Sequence, residues 1–185
     1  MLFRLTKKTQ EQIRHPLKFD NLSLAENRYC EWICDTVQFG RKKYFLISNA
    51  YSSFSLLISA KGITTSEKFQ NYVLEKIESY FAQKDLLDCY NEYIKPNSEN
   101  ICFGKTNSRV LTGLMNEQKL FLEYEYYDKG DFPEDFSKSD YLNDMVSCAL
   151  DSMFKKISPE QVFTSDIMKN VVLPDGIPAK YRGWN

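Results

Sequence analysis

Two short β-rich runs, Tyr44–Ile47 and Phe54–Ile58, restrict the fold of this chain more than any other feature. In the second run Phe54, Leu56 and Ile58 alternate with Ser55, Leu57 and Ser59, the period of two that turns one side of a strand toward a core. The first run is apolar on both sides, which suits a strand inside a sheet rather than at its edge. Ser48–Ser53 supplies a polar turn between them. Upstream, Tyr29–Phe39 reads as a third strand, with Cys30, Trp32 and Cys34 on one side and Ile33, Val37 and Phe39 on the other. Gly40-Arg41-Lys42 turns it into the next run, so an antiparallel meander is expected from Tyr29 to Ser59.

The rest of the chain adds helices to this sheet. Met1–Leu5 reads as a short strand, and Lys7–Arg14 as a brief helix ended by His15-Pro16, because proline disfavours helix before it. Leu17–Asn27 reads as a loop. Thr64-x-x-Glu67 fits a capping box, and Phe69, Val73, Ile77, Tyr80 and Phe81 come after it at helical spacing over Ser66–Gln83. A shorter helical piece, Asp85–Ile94, should stop before Pro96. Ile101–Phe103 reads as a strand entering a turn at Gly104. From about Ser108 a long helix is expected, with Leu111, Leu114, Met115, Gln118, Leu122 and Tyr126 on one side and Gly130 and Pro133 ending it. Leu142, Met145, Val146, Ala149 and Met153 form a further helical stripe after Ser139, and Ser158-Pro159 opens another helix. Tyr181 and Trp184 suggest that the irregular tail is tied down on a surface. The expected fold class is α+β: an antiparallel meander sheet of about four to five strands covered by helices, with a helical C-terminal third. Residues 1–127 form the sheet domain and 128–185 a helical extension packed on it.

Composition narrows the class. At 185 residues one well-buried core is expected, and 15% aromatic with 26% charged residues argues against a disordered chain. The net charge of −1 favours neither a nucleic-acid binder nor an acidic-surface protein. Its distribution is uneven: residues 1–18 carry Arg4, Lys7, Lys8, Arg14 and Lys18 against Glu11, and residues 117–151 carry ten acids against Lys119, Lys129 and Lys138. No run approaches a membrane span, and MLFRLTKKTQ lacks the apolar core of a signal peptide. Cys30, Cys34, Cys89, Cys102 and Cys148 are odd in number and scattered, as expected of reduced, mostly buried thiols in a cytoplasm.

Tested class by class, the chemistry is sparse. His15, beside a proline, is the only histidine, so a Ser/His or Cys/His pair has one possible base. Cys30-x-x-x-Cys34 has no matching second pair for zinc. Neither a metal nor a cofactor is expected. Gly104-Lys105-Thr106 looks like the end of a phosphate loop, but Glu99 occupies the position of its first glycine and would repel phosphate. Lys105-Thr106-Asn107-Ser108-Arg109 nevertheless lies where a strand passes into a helix, where N–H groups, hydroxyls and two cations can meet an anion. The plain alternative is that Asn107 or Ser108 caps the helix while the cations stay solvated. Glu123/Glu125 and Asp128/Asp131 are two apart and do not face one another on a helix, so EYEYY reads as an exposed, partly packed face. Basic residues interleave with aromatics at Phe3-Arg4, Arg41–Tyr44 and Lys180–Arg182, a weak pointer to nucleic acid.

Two stretches carry a resemblance. Arg4-Leu5-Thr6-Lys7-Lys8 with Trp32, Arg41-Lys42-Lys43 and Asn49, and Lys105–Arg109 with Gly113, Met115 and Asn116, resemble an uncharacterised bacterial domain family. That domain occurs alone or joined to a plasmid open-reading-frame-like domain. Its downstream motif runs roughly T-x-N-R then G-x-M-N; here Ser108 stands between Asn107 and Arg109. The resemblance spans about residues 1–120 and implies a bacterial, intracellular protein with a link to mobile elements or defence; the family carries no established activity to transfer.

The leading expectation is a non-catalytic binding module for a protein partner or anionic ligand. Its surface is formed by Arg4, Lys7, Lys8, Lys105, Thr106, Asn107 and Arg109. These meet if Leu2–Leu5 joins the sheet beside the Ile101–Phe103 strand. The alternative is a metal-dependent enzyme on a phosphorylated or nucleic-acid substrate, using acids from Glu117–Asp131. A purely oligomerising protein is the third.

Overall fold

The computed structural model describes residues 1–16, 27–50, 54–83, 86–106 and 109–129. Expectations placed beyond Lys129, including the helical extension 128–185 past its first two residues, lie outside these, as do Leu17–Glu26, Asn107 and Ser108. Five strands, β1 (Leu2–Leu5), β2 (Glu31–Phe39), β3 (Lys42–Asn49), β4 (Ser55–Ser59) and β5 (Cys102–Lys105), form one sheet in the order β4-β3-β2-β1-β5. The main helices are α1 (Lys7–Gln12), α2 (Ser66–Gln83), α3 (Leu87–Cys89) and α4 (Arg109–Lys129).

The sheet is mixed, and this corrects the expected all-antiparallel meander. β2, β3 and β4 do form an antiparallel meander. β1, however, lies between β2 and β5 and runs parallel to both. The reason is connection length. Parallel neighbours need a crossover of a dozen or more residues, and residues 6–30 between β1 and β2, with α1 inside them, provide one. The β2–β3 hairpin instead closes in two residues, Gly40 and Arg41, between the paired Phe39 and Lys42. Such a turn needs a positive φ at its first central position, and Gly40 supplies φ +56°.

Each strand of the meander presents two buried sides. Trp32, Cys34, Phe45, Ile47, Phe54, Leu56 and Ile58 face α2, whose Phe69, Val73, Ile77, Tyr80 and Phe81 complete an aromatic core with Phe3, Leu5 and Ile13. Ile33, Val37, Phe39, Tyr44, Leu46 and Leu57 face the other way and are covered by Met115 and Leu122 of α4.

Local boundaries shift in ways that have physical causes. The α2 cap is Thr65 rather than Thr64: its Oγ1 accepts from Lys68 N at 3.3 Å. Arg28–Cys30 forms a 3-10 turn, so β2 starts at Glu31. Helical structure runs past Ile94 because Pro96 sits early in the 3-10 turn Lys95–Asn97, where its missing N–H needs no partner. Gly104 and Lys105 belong to β5, not to a turn after it. Among the described residues no helix is long and apolar enough to cross a membrane.

Candidate functional site

The parallel strands β5, β1 and β2 share one direction. Leu5 pairs in register with Lys105 on one side and with Cys34 on the other. The segments that leave β1 and β5 therefore begin at one end of the sheet: Thr6-Lys7-Lys8 after β1, Thr106 and then Arg109 after β5. The two connections diverge. α1 leads to Ile13 in the α2-side core, whereas α4 covers the opposite face. In open sheets with parallel strands, such a divergence at carboxyl ends leaves a crevice in which ligands bind.

Threonines fix the start of α1. Thr6 caps it, accepting from Thr9 N at 3.4 Å, and Thr6 N donates to Cys34 O at 3.0 Å. Thr9 Oγ1 donates to Cys34 O at 3.1 Å and accepts from Thr36 Oγ1 at 3.1 Å. Lys7 and Lys8 are thereby held in the first turn, exposed to solvent. Cations there oppose the helix dipole, and neither α1 nor α4 carries an acid in its first turn to offset them. Lys7 approaches Glu11 only to 3.9 Å with both side chains mostly exposed, an interaction of little strength.

Beneath this rim lies a buried polar layer on the α4 side of the sheet. Arg4, 2% exposed, donates from Nε to Glu31 Oε1 at 2.6 Å and from Nη1 to the Lys105 carbonyl at 3.2 Å. Asp35 accepts from the Thr6 hydroxyl and pairs with Lys119 of α4. Ser48 and Ser55 lie 2.6 Å apart across β3 and β4, and the Ser48 hydroxyl donates to Gln118 Oε1 at 3.1 Å. The Asp35–Lys119 pair and the Gln118 bonds to Ser48 and Ser55 tie α4 to the sheet, while Arg4 joins β1 to β2 and β5.

Beside α1 the surface opens into a cleft of about 330 Å³ lined by Lys8, Glu11, Gln12, Thr36, Gln38 and Lys43. Gln12 orders one wall: its Oε1 accepts from Lys43 Nζ at 3.1 Å and its Nε2 donates to Ile63 O at 3.2 Å. On the other wall Gln38 Nε2 donates to Gly40 O at 3.0 Å.

The residues singled out from sequence are divided by this arrangement. Lys7, Lys8, Lys105 and Arg109 are exposed and Thr106 is half-buried. Lys8, Lys105 and Arg109 make no ion pair with other described residues. Arg4 is turned inward, so it holds the end of β5 through the Lys105 carbonyl rather than facing solvent. Asn107 lies outside the described residues. Sequence reasoning passed over Glu31, Asp35 and Lys119, although two acids among the apolar residues of strand β2 were a readable signal for buried partners.

Other chemistry stays quiet. Burial pushes the Cys30 thiol up to about 11, and raises Cys34 well above its ordinary value with a further contribution from Asp35. Both are protonated and poor nucleophiles. His15 Nδ1 lies 2.9 Å from Ser66 Oγ, and its ring packs on Phe103 with centroids 4.7 Å apart. Partial burial lowers the His15 pKa. Glu117 and Glu123 are exposed while Glu125 is buried, and no group of three or more His, Cys, Asp or Glu among the described residues could hold a metal ion. Of the EYEYY run, Tyr124 and Tyr127 are 73% and 84% exposed, and Tyr126 packs on Phe39.

Fold and site together define a small α+β domain on a mixed five-stranded sheet, with a basic rim at the carboxyl ends of its parallel strands. Residues 2–162 match the model of a domain of unknown function (DUF6933), and the chain belongs to that family. No curated protein and no solved structure matches it.

Proposed function

We propose that this domain is a non-catalytic binding module that takes an anionic partner at the carboxyl ends of β1 and β5. The observation that carries this reading is the Leu5–Lys105 register, which puts Lys7 and Lys8 at the same end of the sheet as Lys105. Arg109 opens the helix that leaves from there. Support comes also from a local misfit. Basic residues begin both α1 and α4, where the helix dipole disfavours them by about 0.3–1 kcal/mol each. Departures of this kind from local preference concentrate at functional positions. The nearby acids Asp35 and Glu31 are engaged inward by Lys119 and Arg4, so their charges do not cancel the rim.

The test is binding of a polyanion that carries no sequence information, such as inorganic polyphosphate, to the full chain at two salt concentrations. The double variant Lys105→Ala, Arg109→Ala should weaken binding by about tenfold or more, as loss of charge-assisted contacts implies. Its melting temperature should not fall, because both side chains are exposed and Arg109 opposes the α4 dipole. Unchanged binding in the double variant removes the reading.

A further inference from the structure

The geometry points to a second, smaller site: the cleft between α1 and the β2–β3 hairpin binds a phosphorylated sugar. This deepens the anion-binding reading and rests on it through Lys8, which belongs to both the rim and the cleft.

Size comes first. A cleft of about 330 Å³ lies at the small end of the range for small-molecule sites. It suits a compact ligand and not a polymer. Charge comes next. Lys8 comes from α1 and Lys43 from β3, so two cationic side chains from separate elements line one opening and outnumber its single acid, Glu11, which also has Lys7 at 3.9 Å. A phosphomonoester carries about −1.5 to −2 charges near neutral pH with three strong acceptor oxygens, which matches two cations better than a single carboxylate does. Lys43 is already oriented by its bond to Gln12 Oε1, and Gln12 is anchored in turn on the Ile63 carbonyl. Part of the ordering cost of binding is thereby met before a ligand arrives.

The remaining lining selects the body of the ligand. Glu11 supplies a carboxylate acceptor, Gln12 and Gln38 carry side-chain amides, and Thr36, whose hydroxyl donates to Thr9 Oγ1, completes the lining. Acceptors and amides around a cationic pair suit a molecule with several hydroxyl groups. None of the six side chains is aromatic or aliphatic, so a nucleobase would find no stacking surface among them. That separates a sugar phosphate from a nucleotide.

Calorimetric titration of the full chain with ribose 5-phosphate tests this, with ribose, inorganic phosphate and adenosine monophosphate as comparisons. Ribose 5-phosphate should bind about tenfold more tightly than ribose and than inorganic phosphate, reflecting use of both ends of the molecule. Lys8→Ala and Lys43→Ala should each weaken it by about fivefold or more. Both side chains are exposed, so these variants fold. Affinity for ribose 5-phosphate no greater than for inorganic phosphate overturns the proposal, as does insensitivity to both lysine variants. Tighter binding of adenosine monophosphate overturns it too, in favour of a nucleotide. Loss of polyphosphate binding in Lys105→Ala, Arg109→Ala with no ribose 5-phosphate binding would sink the cleft alone and leave the rim standing.

Discussion

The two faces of this sheet are both buried, but by different means. On the α2 face, Phe3, Phe45 and Phe54 meet Phe69, Tyr80 and Phe81 edge-on or tilted, with ring centroids 5.0–5.8 Å apart. On the α4 face, apolar contacts of Leu46, Leu57 and Leu122 share the interface with the Arg4–Glu31 and Asp35–Lys119 pairs and the Ser48–Ser55–Gln118 group. Apolar packing is non-directional and yields stability roughly in proportion to area. Paired charges inside a protein add little net stability, since desolvation offsets their attraction, but each is costly to leave alone. The comparison teaches that α2 holds the fold together whereas the polar layer fixes where α4 sits, and with it the end of β5.

The sharpest way to break that contrast is to injure each face equally and then attempt rescue. Phe69→Ala removes a fully buried ring from the centre of the aromatic cluster and should cost about 3–5 kcal/mol in urea denaturation. A second large-to-small change nearby should only deepen the loss. Arg4→Leu should cost a comparable amount, about 3–5 kcal/mol, because it takes the guanidinium away from the buried Glu31 carboxylate. Adding Glu31→Leu should then recover most of it, since an apolar pair is often as stable as the ion pair it replaces. Failure of the double variant to recover would mean that the α4 face depends on its charges for stability and not for position.

A smaller effect sharpens the positional claim. Lys119→Met keeps the unbranched stem without the ammonium group and leaves Asp35 with the Thr6 hydroxyl as its remaining partner among the contacts described. About 1–3 kcal/mol should be lost, the cost of an incompletely satisfied buried group, discounted because Lys119 is partly exposed. Amide exchange should rise along α4 while α2 stays protected. Equal exchange in both helices would contradict the division of labour.

Much of the α2 face was legible in the sequence because alternation and helical periodicity are local signals. The bounds Ser66–Gln83 and the inward set Phe69 to Phe81 come directly from spacing. The direction of β1 and β5 was not legible: whether a strand enters a sheet parallel or antiparallel depends on what lies between the strands, and nothing within LFRL encodes it. Their adjacency was legible only as a condition, and the register that meets it brings Lys7, Lys8 and Lys105 to one end. Arg4 shows the limit. As a charged residue in a basic stretch it reads as surface, and only the fold reveals Glu31, 27 positions away, beside it. The cleft draws Lys8, Gln12, Thr36 and Lys43 from three elements, so no spacing rule could have gathered them.

The smallest expected effect concerns the seam where α1, α2 and β5 meet on the apolar side. His15 leans on Phe103 and lies against Ser66, the first residue of α2. Partial burial lowers its pKa below the ordinary 6.5, which means that the folded protein favours the neutral ring. The unfolded chain therefore binds the proton more readily, and stability should fall as pH drops through about 6.5 toward the lowered folded value, then level off. The ring is only partly buried, so the slope is shallow. His15→Asn removes the titrating group and should flatten the dependence of stability on pH between about 7.5 and 5, in denaturation curves collected at matched salt. A parental slope that persists in the variant would show that His15 does not set the pH response and would remove this prediction.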